Sequence, residues 1–534
     1  MNTLKKTNQV GRVSVGRVSV GRVGSLEASS GAPRSIPRSR RAVVAAATVA
    51  MVTLALLTRP LGAGGGGPVP GEDPLVPDQV IVRLSANVEL SAALAMVDAA
   101  FPGTTVLGSI ASRSTFKFGL PSGSPVPSVD ALLAQMVANG TLVWGELNYE
   151  GQAAEGKAGD LWSTDLGGAG SGAYSGQYAG ELLGLREAHA TSRGQGVLVA
   201  VLDTGVDPTH PALAAQIGTG GASFVAGAGL DDLGTNEDND GDGLIDEMTG
   251  HGTFVAGLIL LVAPEATLVP ITVLDSEGIG DTLSLAQGIY HAIDGGAHVI
   301  NCSFGSTYKG AAVEDAIDEA VAKGIVVVGA AGNFDREDPE EYPAMASGVI
   351  GVGATRADDV KAGFSNYNPD MVLCAPGESE LLGGGGWDIA RSVISALPGG
   401  EWGVWRGTSF STGFVSGAAA LVRAQLPSAT PNALLVATIT SRLQTAAVPI
   451  DDLNPRYQGL LGSGRLDAAA TVALGDPAPT PGDLDANGAI DGADLGLLLS
   501  VWGDCLPGLA CPADLTLDGT IDGADLGALL ANWG

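Results

Sequence analysis

Five stretches of this chain, VLVAVLD, ATLVPITVL, HVINCSF, GIVVVGAAGN and VIGVGA, are apolar almost without interruption, and amphipathic segments such as LSLAQGIYHAIDGG and AAVEDAIDEAVAKG separate them. A strand with one wet face alternates apolar and polar residues, so a continuous run requires cover on both faces. Such strands alternating with helices predict an α/β fold, a parallel sheet covered by helices on both faces. In that architecture ligands sit in the crevice beyond the carboxyl ends of the strands. A dinucleotide-binding reading fails at once, because no GxGxxG follows the first strand.

Composition shifts divide the 534 residues. Residues 1–63 form a basic segment and an apolar stretch, and 64–77 a Gly/Pro linker. Residues 78–150 read as a small α+β unit, with strands QVIVRL, TFKFGL and TLVWGELNY and helices LSAALAMVDAAF and SVDALLAQMVANG. Residues 151–180 are Gly/Ala-rich, too small in side-chain bulk to pack and open to cleavage. The α/β domain is expected over 181–475, a short linker over 476–481, and two segments repeating at a 31-residue offset over 482–534.

Charge is spread unevenly. Residues 1–41 carry nine Lys/Arg against one Glu, whereas the whole chain stands at −31. A nucleic-acid partner is not expected for so acidic a body. Basic residues, then seventeen uncharged residues from Ala42 to Thr58, then small residues, make the pattern of an export signal. Seventeen residues also stand at the lower limit for a membrane span, so the expectation is secretion, or outward-facing anchoring if the segment is retained. Four cysteines make no disulfide framework. Cys505 and Cys511 flank a short loop and are candidates to pair, while Cys302 and Cys374 lie in apolar strand-like runs and read as buried thiols.

Three blocks carry chemistry. Asp203 ends the strand VLVAVLD, His251 opens the apolar helix HGTFVAGLILL, and Ser409 lies where a glycine turn feeds the small-residue helix of RGTSFSTGFVSG. Taken singly, each has a plain structural reading: a turn-capping Asp, a helix-opening His, a capping Ser. Together they match a chemical need. A serine hydroxyl attacks only when a neutral imidazole takes its proton, and the imidazole needs a buried carboxylate to fix its tautomer. The chain order Asp, His, Ser is that of subtilisin.

VAVLDTGVD, GHGTFVAG and GTSFSTGFVSG resemble the three signature blocks of the subtilase family, over about residues 180–475. The resemblance implies peptide-bond hydrolysis of protein or peptide substrates, with no cofactor for the chemistry. It adds Asn333, in VVVGAAGN, as oxyanion donor, and Ser303, Phe304, Gly305, Ala331 and Gly332 as lining of the substrate pocket, with Gly278 to Gly280 as a further substrate edge. Phe254, Phe410 and Gly413 stand where the family usually has His, Met and Pro, which bears on specificity and helix geometry and leaves the triad intact. The 78–150 unit resembles a subtilase propeptide, a chaperone and inhibitor that is later removed; a small fused binding domain is the alternative. Zinc proteolysis lacks its HExxH motif.

Aspartates form three candidate calcium loops. Asp238, Asp240, Asp242 and Asp246 supply hard oxygens around Gly243, against the plain reading of a solvated acidic loop. Asp483, Asp485, Asn487, Asp491 and Asp494 occupy ligand positions 1, 3, 5, 9 and 12 of a calcium loop, and Asp514, Thr516, Asp518, Asp522 and Asp525 do so again. Each of these two loops leads into one short apolar helix. The pair resembles a dockerin-type module, which implies structural Ca2+ and a cohesin-like partner, although the apolar helix faces also suit a mutual core. The function expected is a secreted serine endopeptidase made as a precursor. Its rival is a non-catalytic calcium-dependent binding protein on the same scaffold, and esterase or peptide-ligase chemistry shares the acyl-enzyme.

Overall fold

The computed structural model describes residues 74–155, 164–166, 170–236, 238, 243–382, 386–427, 430–474, 482, 484, 490–505, 513–516 and 518–533. The basic and apolar segments before them, Asp240, Asp242, Asp483, Asp485, Asn487 and Cys511 lie outside the described residues.

An antiparallel sheet opens the described chain. Its elements are β1 (Leu75–Leu84), α1 (Leu90–Ala100), β2 (Thr105–Ile110), β3 (Thr115–Gly119), α2 (Val126–Ala138) and β4 (Leu142–Ala153), with strand order β4-β1-β3-β2. Val80, Val82, Val97, Phe118, Leu133 and Met136 form its core. Strand β2 went unread in the sequence because only Ile110 of its six residues is buried, so it shows no alternation.

The large domain follows with β5 (Leu198–Asp203), β6 (Ala222–Ser223), α3 (His251–Val262), β7 (Thr267–Thr272), β8 (Ile279–Asp281), α4 (Thr282–Asp294), β9 (Val299–Cys302), β10 (Phe304–Gly305), α5 (Ala311–Ala322), β11 (Val326–Ala330), β12 (Val349–Thr355) and β13 (Leu373–Pro376). A hairpin of β14 (Val393–Leu397) and β15 (Glu401–Trp405) leads into α6 (Thr408–Arg423). Seven strands pair in parallel in the order β13-β12-β11-β9-β5-β7-β6. Every residue of β9, β11 and β12 is buried, as the uninterrupted apolar runs require. From β5 the chain first adds β7 on one side and later β9 on the other. Strand order therefore reverses at β5, which makes its carboxyl end a switch point with an open crevice.

The small sheet meets the large domain through charge placed on helix ends. Helix α5 starts at Gly310 without a side-chain cap of its own; the Glu146 carboxylate of β4 accepts from Ala311 N at 2.7 Å and Ala312 N at 3.0 Å instead. Those N–H groups have no intrahelical acceptor, and a carboxylate there also meets the positive end of the helix dipole. Lys117 lies 2.5 Å from Asp281, which caps α4. Arg113 reaches Asp294 and Glu319, each at 2.7 Å, and its hydrogen bond holds the Glu319 carboxyl down at about 2.

At the C-terminus, α7 (Gly492–Ser500) and α8 (Gly523–Ala531) share a small core of Leu484, Ile490, Leu498, Ile521 and Leu529. Cys302 and Cys374 are buried and free, whereas Cys505 is disulfide-bonded. No helix among the described residues is long and apolar enough to cross a membrane.

Helices α3 and α6 touch closely because α6 carries small residues. A Cβ placed on Gly417 would stand 2.6 Å from Val262 Cβ and 2.9 Å from the Ile259 carbonyl oxygen. Helix propensity alone favours alanine there by about 1 kcal/mol; overpacking against fixed backbone costs roughly 1–3 kcal/mol. Gly417→Ala is therefore expected to lower stability, and a raised midpoint in urea unfolding would contradict the close helix contact.

Candidate active site

Asp203 is the last residue of β5 and is fully buried. Its Oδ1 accepts from Thr204 N at 2.8 Å and lies 2.7 Å from Nδ1 of His251, the first residue of α3. Gly252 makes that approach feasible, since a Cβ there would stand 2.0 Å from the Gly205 carbonyl oxygen and 3.1 Å from Asp203 Oδ1.

The start of α3 is held from outside the helix. Gly250 at the cap position has φ 92° and no side chain to offer. Asp232 supplies the acceptor: Oδ1 takes Gly250 N at 3.1 Å and Thr204 Oγ1 at 2.7 Å, and Oδ2 takes Thr253 N at 2.9 Å and Thr253 Oγ1 at 2.5 Å. Thr204 Oγ1 in turn accepts from Gly252 N at 3.1 Å. One buried carboxylate thus ties the end of the Asp203 strand to the start of the His251 helix. Burial pushes the Asp232 carboxyl up to about 7 against the hydrogen bonds that lower it.

Asn333 follows β11 and faces the start of α6. Its Oδ1 accepts from Thr408 N at 3.0 Å and Thr408 Oγ1 at 2.9 Å, which fixes the amide and turns Nδ2 into the crevice. Ser409, next in α6, is fully buried.

All these donors converge on Glu155, just beyond the end of β4. Its Oε1 accepts from Asn333 Nδ2 at 3.1 Å and Ser409 N at 3.3 Å. Its Oε2 accepts from Ser409 Oγ at 2.6 Å and lies 3.0 Å from His251 Nε2. Two N–H donors thus hold one oxygen while hydroxyl and imidazole hold the other. The first pair is the arrangement that stabilises a developing oxyanion. Burial alone would lower the imidazole, but Asp203 and Glu155 together carry it up to about 10. Burial would likewise raise the Glu155 carboxyl, and the hydrogen bond from His251 brings it below its ordinary range.

The strand that delivers Glu155 lies between two edges. Gln152 and Ala153 pair antiparallel with Gly305 and Phe304 of β10, while Glu150, Gly151 and Gln152 pair with Asp281, Gly280 and Ile279 of β8. Ala153 N also donates to Gly278 O at 2.8 Å. The structure thus brings Ser303, Phe304 and Gly305 to one side and Gly278 to Gly280 to the other; the Ser303 carbonyl oxygen is 3.2 Å from Ser409 Oγ. Gly332 N donates to Thr408 Oγ1 at 3.1 Å, and Ala331 is buried beside it. Phe254 and Phe410 pack on each other with centroids 4.6 Å apart, and Phe410 and Trp405 stand 5.4 and 5.5 Å from the His251 ring. The two aromatic departures from the family pattern therefore occupy one packed cluster.

The acidic loops are less gathered. Asp238 accepts from Gly243 N at 3.1 Å, and Asp246 accepts from Thr235 N at 2.8 Å and Asn236 N at 2.5 Å. Asp514 accepts from Asp518 N at 3.1 Å and Gly519 N at 2.8 Å, so that loop curls around its carboxylate. Asp491 and Asp522 cap α7 and α8, and Asp494 and Asp525 complete the capping boxes. Among the described residues no three His, Cys, Asp or Glu side chains gather as a metal site.

Sequence reasoning missed Glu155 and Asp232. The first sits in a Gly/Ala-rich stretch with no motif, and the second stands in an acidic loop where nothing local marks it as buried.

The family model described as subtilase family, peptidase S8, matches residues 194–464. An intracellular serine protease of Paenibacillus polymyxa is 35% identical over 282 residues, 50% of this chain and 78% of its own. Subtilisin Savinase of Lederbergia lenta is 37% identical over 288 residues, 52% of this chain and 91% of its own. Fervidolysin from Fervidobacterium pennivorans, a keratinolytic enzyme related to subtilisin, shares the fold with TM-score 0.57 at 23% identity, covering 79% of this chain and 63% of that one.

The Glu155 contact carries a pH signature. Because the His251 pKa is raised, the contact is at full strength below the ordinary imidazole value and fades as pH rises through about 10. In a Ser409→Ala chain, nitrogen NMR should find His251 protonated until near that pH, and adding Glu155→Gln should lower the midpoint. A midpoint unmoved by Glu155→Gln would mean the two side chains do not pair.

Proposed function

Since the chain belongs to the subtilase family and is a subtilisin-like serine endopeptidase, we propose that Asp203, His251 and Ser409 are its catalytic triad and that it is exported as a self-inhibited precursor. The convergence of Ser409, His251 and Asn333 on the single carboxylate of Glu155 carries this reading. A group that fills the place of the reacting carbonyl is held by the same donors the transition state needs.

In the reaction, a substrate strand takes the place of residues 150–153 between β8 and β10, pairing by backbone and so tolerant of sequence. His251 accepts the proton of Ser409 as Oγ attacks, and Asp203 holds the imidazolium that forms. Asn333 Nδ2 and Ser409 N stabilise the oxyanion. His251 then protonates the leaving amine, and water releases the acyl group by the same steps in reverse. With Glu155 in place the imidazole is already protonated and cannot serve as base, which accounts for inhibition by the N-terminal unit.

The propeptide role of residues 78–150 is supported by β4 lying along the cleft and by Glu146, Lys117 and Arg113 on the ends of α4 and α5. Export rests on the order of basic, apolar and small residues at the N-terminus. Calcium is supported by hard oxygen donors at calcium-loop spacing and by the curl around Asp514. Asp514, Thr516, Asp518, Asp522 and Asp525 would hold one ion, and Asp483, Asp485, Asn487, Asp491 and Asp494 another. Asp238, Asp240, Asp242 and Asp246 would hold a third. Ion binding would supply rigidity and no catalytic step. Docking to a cohesin-like protein rests on the repeat resemblance, with Trp502 and Trp533 exposed beside the two helices.

Ser409→Ala should abolish casein hydrolysis and stop removal of the N-terminal unit, and Asn333→Ala should cut kcat by roughly 100- to 1,000-fold with little change in KM. A Ser409→Ala protein that still matures and cleaves would sink the triad. Excess EGTA should lower the melting temperature, since an ion at a hundred times its Kd stabilises by about 2.7 kcal/mol. An unchanged melting temperature would remove the calcium reading.

A further inference from the structure

The register of β4 indicates which bond lies at the nucleophile. Gly151 stands opposite Gly280, Gln152 opposite Gly305, and Ala153 opposite Phe304. One step further along the antiparallel register places Ala154 opposite Ser303, whose carbonyl oxygen is 3.2 Å from Ser409 Oγ. The next residue is Glu155, whose carboxylate takes hydrogen bonds from both Ser409 Oγ and Ser409 N. The link between residues 154 and 155 therefore lies between a residue that the register sets against Ser303, itself in contact with Ser409, and a residue whose side chain is held by Ser409. We infer that Ala154–Glu155 is the first peptide bond this enzyme breaks, in its own chain, an inference that rests on Ser409 being the nucleophile.

Residues 151–153 are already extended, and the chain leaves the strand conformation at Ala154 and Glu155. Swinging the Glu155 carboxylate out removes one of the two charges that hold His251 protonated, so the imidazole releases its proton to solvent, and it frees Asn333 Nδ2 and Ser409 N for the Ala154 carbonyl oxygen. Ser409 Oγ then bonds to the Ala154 carbonyl carbon and gives its proton to His251. The C–N bond to Glu155 breaks, and the Glu155 nitrogen takes that proton as the new amino terminus. Water hydrolyses the Ala154 ester, leaving Ala154 with a free carboxylate and Ser409 restored. The Glu155 side chain is a latch on this step, because attack must wait for it to leave. Gly407 shows how closely it fits: a Cβ there would stand 1.7 Å from Glu155 Oε1.

The cleft also selects the segment. Ala154 is 3% exposed. A Cβ on Gly151 would fall 2.6 Å from Leu285 Cδ1, so the subsite three residues before Ala154 holds a residue without a side chain unless Leu285 turns away.

A time course of intact mass and N-terminal sequencing on the full chain tests this. The first pair of products should end at Ala154 and begin at Glu155, while Ser409→Ala stays joined. Glu155→Gln should be cut at the same bond about tenfold faster, the latch having lost its charge. A peptide of sequence NYEGQAAEGKAG, residues 148–159, given to the mature enzyme should be cut between Ala and Glu, a readout independent of precursor folding. First products ending elsewhere, with Ser409→Ala still joined, would overturn the assigned bond and leave the triad standing. Cutting of Ser409→Ala at the same rate would overturn both.

Discussion

Burial of both faces of the parallel sheet is the constraint from which the rest follows. With β9, β11 and β12 buried throughout, no polar side chain is accommodated along the strands without a partner, and reactive groups are confined to strand ends and helix starts. Asp203 ends a strand, His251 and Ser409 stand at the first turns of helices, and Asn333 lies just past a strand. The reversal of strand order at β5 leaves these four around one crevice.

Within that crevice two buried carboxylates besides Asp203 set the geometry and the charge. Asp232 satisfies the orphan donors at the start of α3, so the orientation of His251 depends on a residue from a separate loop. Buried donors left without an acceptor cost about 1–3 kcal/mol each, which makes this carboxylate a fixed part of the site. Glu155 acts on charge: beside Asp203 it makes the imidazole a cation. The same arrangement that would stabilise an oxyanion therefore stabilises an anion borrowed from the chain.

The N-terminal unit is joined to the large domain by a similar use of unpaired helix ends. Glu146 takes the place of a missing cap on α5, and Asp281 serves both as cap of α4 and as partner of Lys117. Such contacts join the two parts strongly while the strand is continuous. None of them runs through residue 154, so a cut there would leave them in place and release of the unit would be a separate event from cleavage.

Residue patterning and three short motifs were enough to specify the sheet, its flanking helices and the family. Uninterrupted apolar runs alternating with amphipathic helices point to a doubly covered parallel sheet, and three short blocks in the order Asp, His, Ser carry their chemistry in residue type and local turn. The same resemblance pointed to Asn333 and to the Ser303 to Gly305 edge, which the fold brings beside the start of the Ser409 helix. The roles of Glu155 and Asp232 and the pairing of Phe254 with Phe410 came from the tertiary structure, because each depends on partners 18 to 254 positions away. Glu155 is 254 positions from Ser409 along the chain and 2.6 Å from it in space. No local pattern of polarity records a contact of that kind, since a charged residue in a glycine-rich stretch reads as solvated until a fold is known to bury it.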